Sequence, residues 1–309
     1  MGVLKDNTYK FIGLKNAFYI FLLVFAFVSC KGPNNELNMP GYEMAEGEIQ
    51  IPEEAMEDII QNISSPIEMA ALIKDLGLPF SSQNLSDVDD VDIYATSFKM
   101  AYTLGMLGAD LGYLNVYEKT GSSVTYLAAI NRLADGLKVS QFFDFNTIKR
   151  LATSNTDLDS LIFMSVHSFN QMDEHLRLTD RSNLSALMVT GVWLEGMYQV
   201  TQVSSGQENI ELAEYIGEQK LVLNNLLFIL KNYEDDDQFA SIIADYEDLK
   251  LIFEKVLISY ELSDPEPVEQ EDGMLMIVQQ ETSIVEISNE VLAEIANKTK
   301  VIRDKHLKM

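Results

Sequence analysis

The stretch Ala101–Tyr117, AYTLGMLGADLGYLNVY, constrains this chain more than any other. At about 3.6 residues per turn it separates into three faces. Ala101, Gly105, Gly108 and Gly112 share one, and Met100, Leu104, Leu107, Leu111 and Leu114 share the second. Tyr102, Met106, Asp110, Tyr113 and Tyr117 form the third. No face is purely solvent-adapted, so the spacing predicts a helix enclosed on all sides. A glycine inside a helix costs roughly 1 kcal/mol against alanine, and three need an offsetting gain. That gain is either close approach of another helix or room for a ligand. Asp110 among tyrosines predicts a hydrogen-bond network, because a buried carboxylate needs donors.

A weaker copy follows about 86 residues on. Shifting by 86 places Gly105 on Gly191, Leu107 on Trp193, Ile130 on Ile216, Leu137 on Leu223 and Phe142 on Phe228. With four more residues in the next loop, Leu161-Ile162-Phe163 falls on Leu251-Ile252-Phe253 and Val166 on Val256. The shared positions are apolar, so the duplication speaks of fold. The expected architecture is all-α: two related three-helix units over 90–178 and 182–260, short N-terminal helices, and a long C-terminal helix at 274–305. Expected helices are Ile67–Leu76, Val124–Phe143, Leu158–Leu178, Leu184–Val203, Glu208–Tyr233 and Phe239–Tyr260, with no competing strand alternation.

The first 29 residues read as a signal rather than as fold. Lys5, Lys10 and Lys15 precede the apolar run Ala17–Val28, which is too short to span a bilayer but suits a signal segment. The run ends at Ser29-Cys30. This resembles a bacterial lipoprotein signal, which implies lipidation of Cys30, although Phe27 stands where leucine is usual. Acylation there would supply enough chains for stable anchoring. Cys30 is the only cysteine, which removes intrachain disulfides and thiol catalysis in the body. Residues 30–51 read as a flexible tether and 52–309 as one domain. In Bacteroidetes lipoproteins an acidic run after the cysteine directs surface export. Lys31–Glu36 has no acidic pair, which points to an outer-membrane anchor facing the periplasm, with the cell surface as the alternative.

The formal charge is −26. Losing residues 1–29 removes three basic residues and one acidic one, leaving 19 against 47 and a charge of −28. Such a surface excludes nucleic acid and disfavours anionic headgroups.

Asp87, Asp89, Asp90 and Asp92 suggest a calcium loop, but an EF-hand counted from Asp87 would need glycine at Asp92 and glutamate at Phe98. They are read instead as capping and charging the start of the central helix. His167, Gln171, Glu174 and His175 share a broad face, yet their spacing matches no tight zinc motif. His167 falls on Leu257 in the repeat and is expected near the core. Asp159-Ser160-Leu161 fits a short glycosylation pattern of exported Bacteroidetes proteins. No GxSxG, HExxH, P-loop or dinucleotide fingerprint occurs, and no metal or cofactor is implied.

Glu195 almost mirrors Asp110 in the second glycine-bearing helix, where Trp193 reads as a core anchor. Helical phase places Glu195 either on the wet side or facing Asp110 across a pocket, where two carboxylates could run acid–base chemistry. From Pro66 to about Tyr233, with SSPIEMAALIKDLGLPF, LGADLGYLNVYE, LADGL, QFFDF and Val189–Gly196 as VTGVWLEG, the chain resembles an uncharacterised family of all-helical Bacteroidetes lipoproteins. The resemblance implies an exported, anchored protein and carries no catalytic residues. Three functions follow as expectations. The first is binding of a protein partner or small ligand through Tyr102, Asp110, Tyr113, Tyr117 and Glu195. The others are a periplasmic acid–base hydrolase using Asp110 and Glu195, and a structural envelope component.

Overall fold

The computed structural model describes residues 66–88, 96–154, 158–204, 209–262, 265–269, 275–278 and 281–307. The signal segment, Cys30 and the tether lie outside them. The fold is all-α. In chain order the helices are α1 (Pro66–Asp75), α2 (Ser97–Val116), α3 (Thr120–Gly136), α4 (Phe145–Ser154), α5 (Leu158–Leu178), α6 (Ser182–Ser204), α7 (Ile210–Leu230), α8 (Asp237–Phe253) and α9 (Asn289–Leu307). Between α8 and α9 come strands β1 (Leu257–Leu262), β2 (Glu266–Glu269), β3 (Leu275–Val278) and β4 (Glu281–Glu286). Among the described residues no helix is long and apolar enough to cross a membrane.

The central helix is buried almost all round. Every residue of Ala101–Val116 except Gly108 is shielded from solvent. Its main partner is α6, and glycines set the approach. A Cβ on Gly105 would collide with the Met188 carbonyl oxygen, and one on Gly191 with the Tyr102 carbonyl oxygen. Met188 lies three residues before Gly191, and Tyr102 three before Gly105. The two glycines superposed by the 86-residue shift therefore make the same contact on each other's helix, as a local two-fold would require. Gly108 faces the Phe169 ring of α5. The small-residue face thus receives other helices and side chains, which offsets its propensity cost through close packing.

The third helices of the expected repeat do not correspond. Leu161–Phe163 opens α5, whereas Leu251–Phe253 closes α8. The larger correction concerns the C-terminal third. Neither Phe239–Tyr260 nor 274–305 is one helix. α8 stops at Phe253, and the chain forms a β-ribbon before α9 starts at Asn289. β1 pairs antiparallel with β4, Leu257 opposite Glu286 and Leu262 opposite Glu281. β2 pairs antiparallel with β3, Glu266 opposite Val278. The physical reason lies in the residues: Ile277, Val278, Thr282, Ile284, Val285 and Ile287 are β-branched, stiff at χ1 and better fitted to a pleat than to a helix. The expected Val124–Phe143 helix also ends early, at Gly136, where Lys138 takes a positive φ of 58°.

The central helix is capped by Thr96, whose side chain accepts from the Lys99 N–H at 3.3 Å. Its first turn carries no acidic residue, and Asp89, Asp90 and Asp92, read as its cap, lie outside the described residues. Of the four aspartates, only Asp87 lies within them.

Candidate functional site

Asp110 and Glu195 are brought into one network, and that network is sealed. Both side chains are fully buried. The expectation that Glu195 faces solvent is overturned. It points to α9, where Arg303 binds it with two parallel donors, Nε to Oε2 at 2.7 Å and Nη2 to Oε1 at 2.7 Å. Arg303 is itself 5 % exposed. Its Nη2 also donates to Ser86 Oγ at 3.1 Å, and its guanidinium lies 4.0 Å from the Tyr198 ring centroid. A planar fork suits this carboxylate and this ring together, which an ammonium would not.

Asp110 is held from two other elements. The Ser86 N–H donates to Oδ2 at 3.0 Å and Gln199 Nε2 to Oδ1 at 2.9 Å. The tyrosines expected around it are engaged elsewhere. Tyr113 Oη accepts the Ser81 N–H at 3.0 Å, and Tyr117 Oη donates to the Leu78 carbonyl at 2.7 Å. Tyr246 Oη donates to the Thr190 carbonyl at 3.2 Å and so receives the Tyr102 hydroxyl at 3.1 Å. One tyrosine that the periodicity did not select, Tyr126 on α3, closes the network by donating to the Ser86 carbonyl. Ser86 thus engages Asp110, Tyr126 and Arg303 at once, and the loop after α1 becomes part of the core.

The electrostatics follow from burial. Desolvation pushes the Asp110 carboxyl well above the ordinary range, and the Glu195 charge adds to it; Arg303 and the Ser86 donor oppose. For Arg303, desolvation acts to lower the pKa, but the Glu195 charge and hydrogen bonds, with Asp110 behind, more than offset it. The guanidinium therefore stays charged. Burial also raises Tyr102, Tyr113 and Tyr117, the last to about 12, so all three remain neutral phenols.

A second cluster lies beside the first. His306 Nε2 meets Asp245 Oδ2 at 2.8 Å, and Lys305 Nζ reaches the same oxygen at 2.7 Å. Desolvation lowers the His306 pKa, against the opposing pull of Asp245. The ring stays neutral and donates its Nε2 proton. At the N-terminal end of α6, Asp173 accepts from Arg177 Nε at 3.0 Å and from Ser185 Oγ, all three side chains buried.

The other candidates separate. Trp193 is fully buried and donates to Gln219 Oε1 at 3.0 Å. His167 is exposed rather than near the core, its ring stacked 5.8 Å from exposed Phe163. His175 packs on Phe142 at 4.6 Å. Among the described residues, no three His, Cys, Asp or Glu side chains are grouped to hold a metal ion. Ser160 lies in the first turn of α5, partly buried.

No family model, curated protein or solved structure matches this chain.

The residues that reasoning from sequence missed are Arg303, Ser86, Gln199 and Tyr126. Arg303 carried a signal: it sits in register with Ile295, Thr299 and Ile302 on the apolar stripe of the last helix. A cation at a core position implies a buried anion. Ser86 carried none, since its role depends on where a loop returns.

Proposed function

We propose that the chain is a lipid-anchored protein of the cell envelope, attached through Cys30, facing the periplasm, and acting by binding a protein partner rather than by chemistry. One observation carries the non-enzymatic part. The two carboxylates best placed for acid–base work are fully buried, and their oxygens are directed at Ser86, Gln199 and Arg303. Acid–base catalysis needs a group within hydrogen-bond reach of substrate, and here those sites are taken by the protein's own donors. Fixed in this way, the pair acts as a fastener between α2, α6 and α9. The Tyr/Asp face of α2 is used for packing, so recognition is assigned to the outer surface.

Anchoring rests on the Lys5–Lys15 region, the apolar Ala17–Val28 run and Ser29-Cys30. The test is metabolic labelling with an alkynyl fatty acid in a lipoprotein-competent bacterial host. The full chain should label and sediment with membranes, and Cys30→Ala should do neither. Equal labelling of both would overturn the anchor. Cross-linking in intact cells addresses binding separately: no adduct from any exposed face of the anchored protein would overturn the partner-binding reading.

A further inference from the structure

We propose that the outer edge of β1 is a docking edge that takes up an extended, basic segment of a partner protein as an added strand. This rests on the partner-binding reading and names its surface. Among the described residues each sheet has two strands, so β1 is paired only with β4 and its other edge is open. Isolated two-stranded ribbons are marginal in water, and this one is supported from one side. Val285 packs on Gly217 of α7, Ser283 donates to Glu218, and Lys220 Nζ donates to the Val256 carbonyl at 2.7 Å. The β1 side stands clear: five of its six residues are exposed. They include Leu257 at 61 %, Tyr260 at 52 % and Leu262 at 63 %, an apolar content that a solvated edge strand does not need.

Charge selects the occupant. Between Val256 and Asn297 there is no Lys, Arg or His, against ten Asp and Glu. Of the neighbouring cations, Lys255 is committed to Glu294, Lys298 to Asp248, Lys300 to Asp304, Arg303 to Glu195 and Lys305 to Asp245, while Lys220 sits at the foot of β1 on the Val256 carbonyl. A second copy would bring together two segments that each carry ten acidic residues and no basic one, which repel as wholes although β1 itself holds only Glu261. Anionic headgroups are repelled for the same reason. A strand alternating Lys or Arg with apolar residues meets both demands: cations on the face of Glu261, apolar side chains on the opposite face with Tyr260 and Leu262. Backbone pairing would give affinity and the alternating side chains register. Pro265 and Pro267, which lack an N–H, end the pairable edge just beyond β1.

The test uses the full chain in neutral detergent and three fluorescent ten-residue probes. One alternates Lys and Val; one alternates Glu and Val; the third is the Lys–Val peptide N-methylated at alternate residues, which keeps charge and removes edge hydrogen bonds. By anisotropy the Lys–Val probe should bind, the Glu–Val probe should not, and N-methylation should weaken binding at least about tenfold. Amide exchange should slow at 257–262 on binding. Ser259→Pro should abolish binding and Glu261→Lys should weaken it severalfold. The second variant keeps the proposal falsifiable should the first disturb the ribbon. Absence of Lys–Val binding, equal binding of the N-methylated probe, or protection located elsewhere would overturn the docking edge. None of these results would alter the outcome of the Cys30 labelling or of cross-linking at other faces, so failure of the edge and failure of the broader reading are distinguishable.

Discussion

Replacing Arg303 by methionine removes the cation that, among the described residues, binds Glu195, and leaves a fully buried carboxylate without its two 2.7 Å donors. Taking one partner from a buried ion pair costs about 3–5 kcal/mol, most of it the desolvation of the charge left behind. Two further contacts go with it, the 3.1 Å bond to Ser86 Oγ and the stacking on Tyr198. At about 2–4 °C per kcal/mol for a domain of this size, the midpoint of thermal unfolding should fall by roughly 6–20 °C. Chemical denaturation gives the free energy, and a double-mutant cycle with Glu195→Met isolates the pair. If the ion pair is the fastener described above, the double variant should be more stable than the Arg303→Met single variant, with non-additivity of about 2 kcal/mol or more. Single effects adding within about 0.5 kcal/mol would refute the reasoning.

Two more outcomes follow from the same core. Gly105→Ala and Gly191→Ala each drive a methyl into a backbone carbonyl, so each should destabilise by about 1–3 kcal/mol as overpacking does. Gly121→Ala, with open space at its Cβ, should be neutral or stabilising by up to about 1 kcal/mol; the three compared by urea unfolding check the close approach of α2 and α6. Asp110, whose carboxyl is raised by desolvation, holds its proton in the folded state above the pH at which the unfolded chain releases it. Its contribution is therefore full below the unfolded carboxylate range and declines as pH rises towards the folded value. Asp110→Asn should remove that decline, so its stability relative to the parent should improve from pH 4 to pH 8; a flat difference would show that Asp110 does not retain its proton.

What could be read from the sequence was whatever depends on local period. Gly105 and Gly191 marked the helix crossing because a glycine inside a helix is costly wherever it occurs. Trp193 read as core because its neighbours share its face. Asp110 was legible as a buried group needing donors, but its donors were not, since Ser86 and Gln199 reach it from 24 and 89 residues away. Glu195 was ambiguous because an all-apolar environment and a wet flank give one helical phase; only Arg303, 108 residues on, decides between them. The ribbon was misread for a different reason. The apolar residues of 274–305 satisfy a helical spacing as well as an alternating one, and an overlong helix absorbed them. The β-branched run was the better guide.

The ribbon and the carboxylate network are linked through α9. The strands form an excursion between α8 and α9, two helices that then return to each other through Lys298–Asp248, Lys305–Asp245 and His306–Asp245. That return is what carries Arg303 to Glu195. Stability is thus placed at the base of the excursion, where the Arg303–Glu195 pair is buried, and the acidic residues of the ribbon stay outside it. A change on the solvent face of β1 alters what the edge can meet without touching the donors of Glu195, whereas a change at Arg303 loosens the helix from which the ribbon hangs. Substitutions at Glu261 should therefore leave the unfolding midpoint unmoved while changing peptide binding, and Arg303→Met should do the reverse at temperatures where the fold persists. A ribbon variant that lowered stability as much as Arg303→Met would mean that the strands are part of the core's closure and not an appendage available for docking.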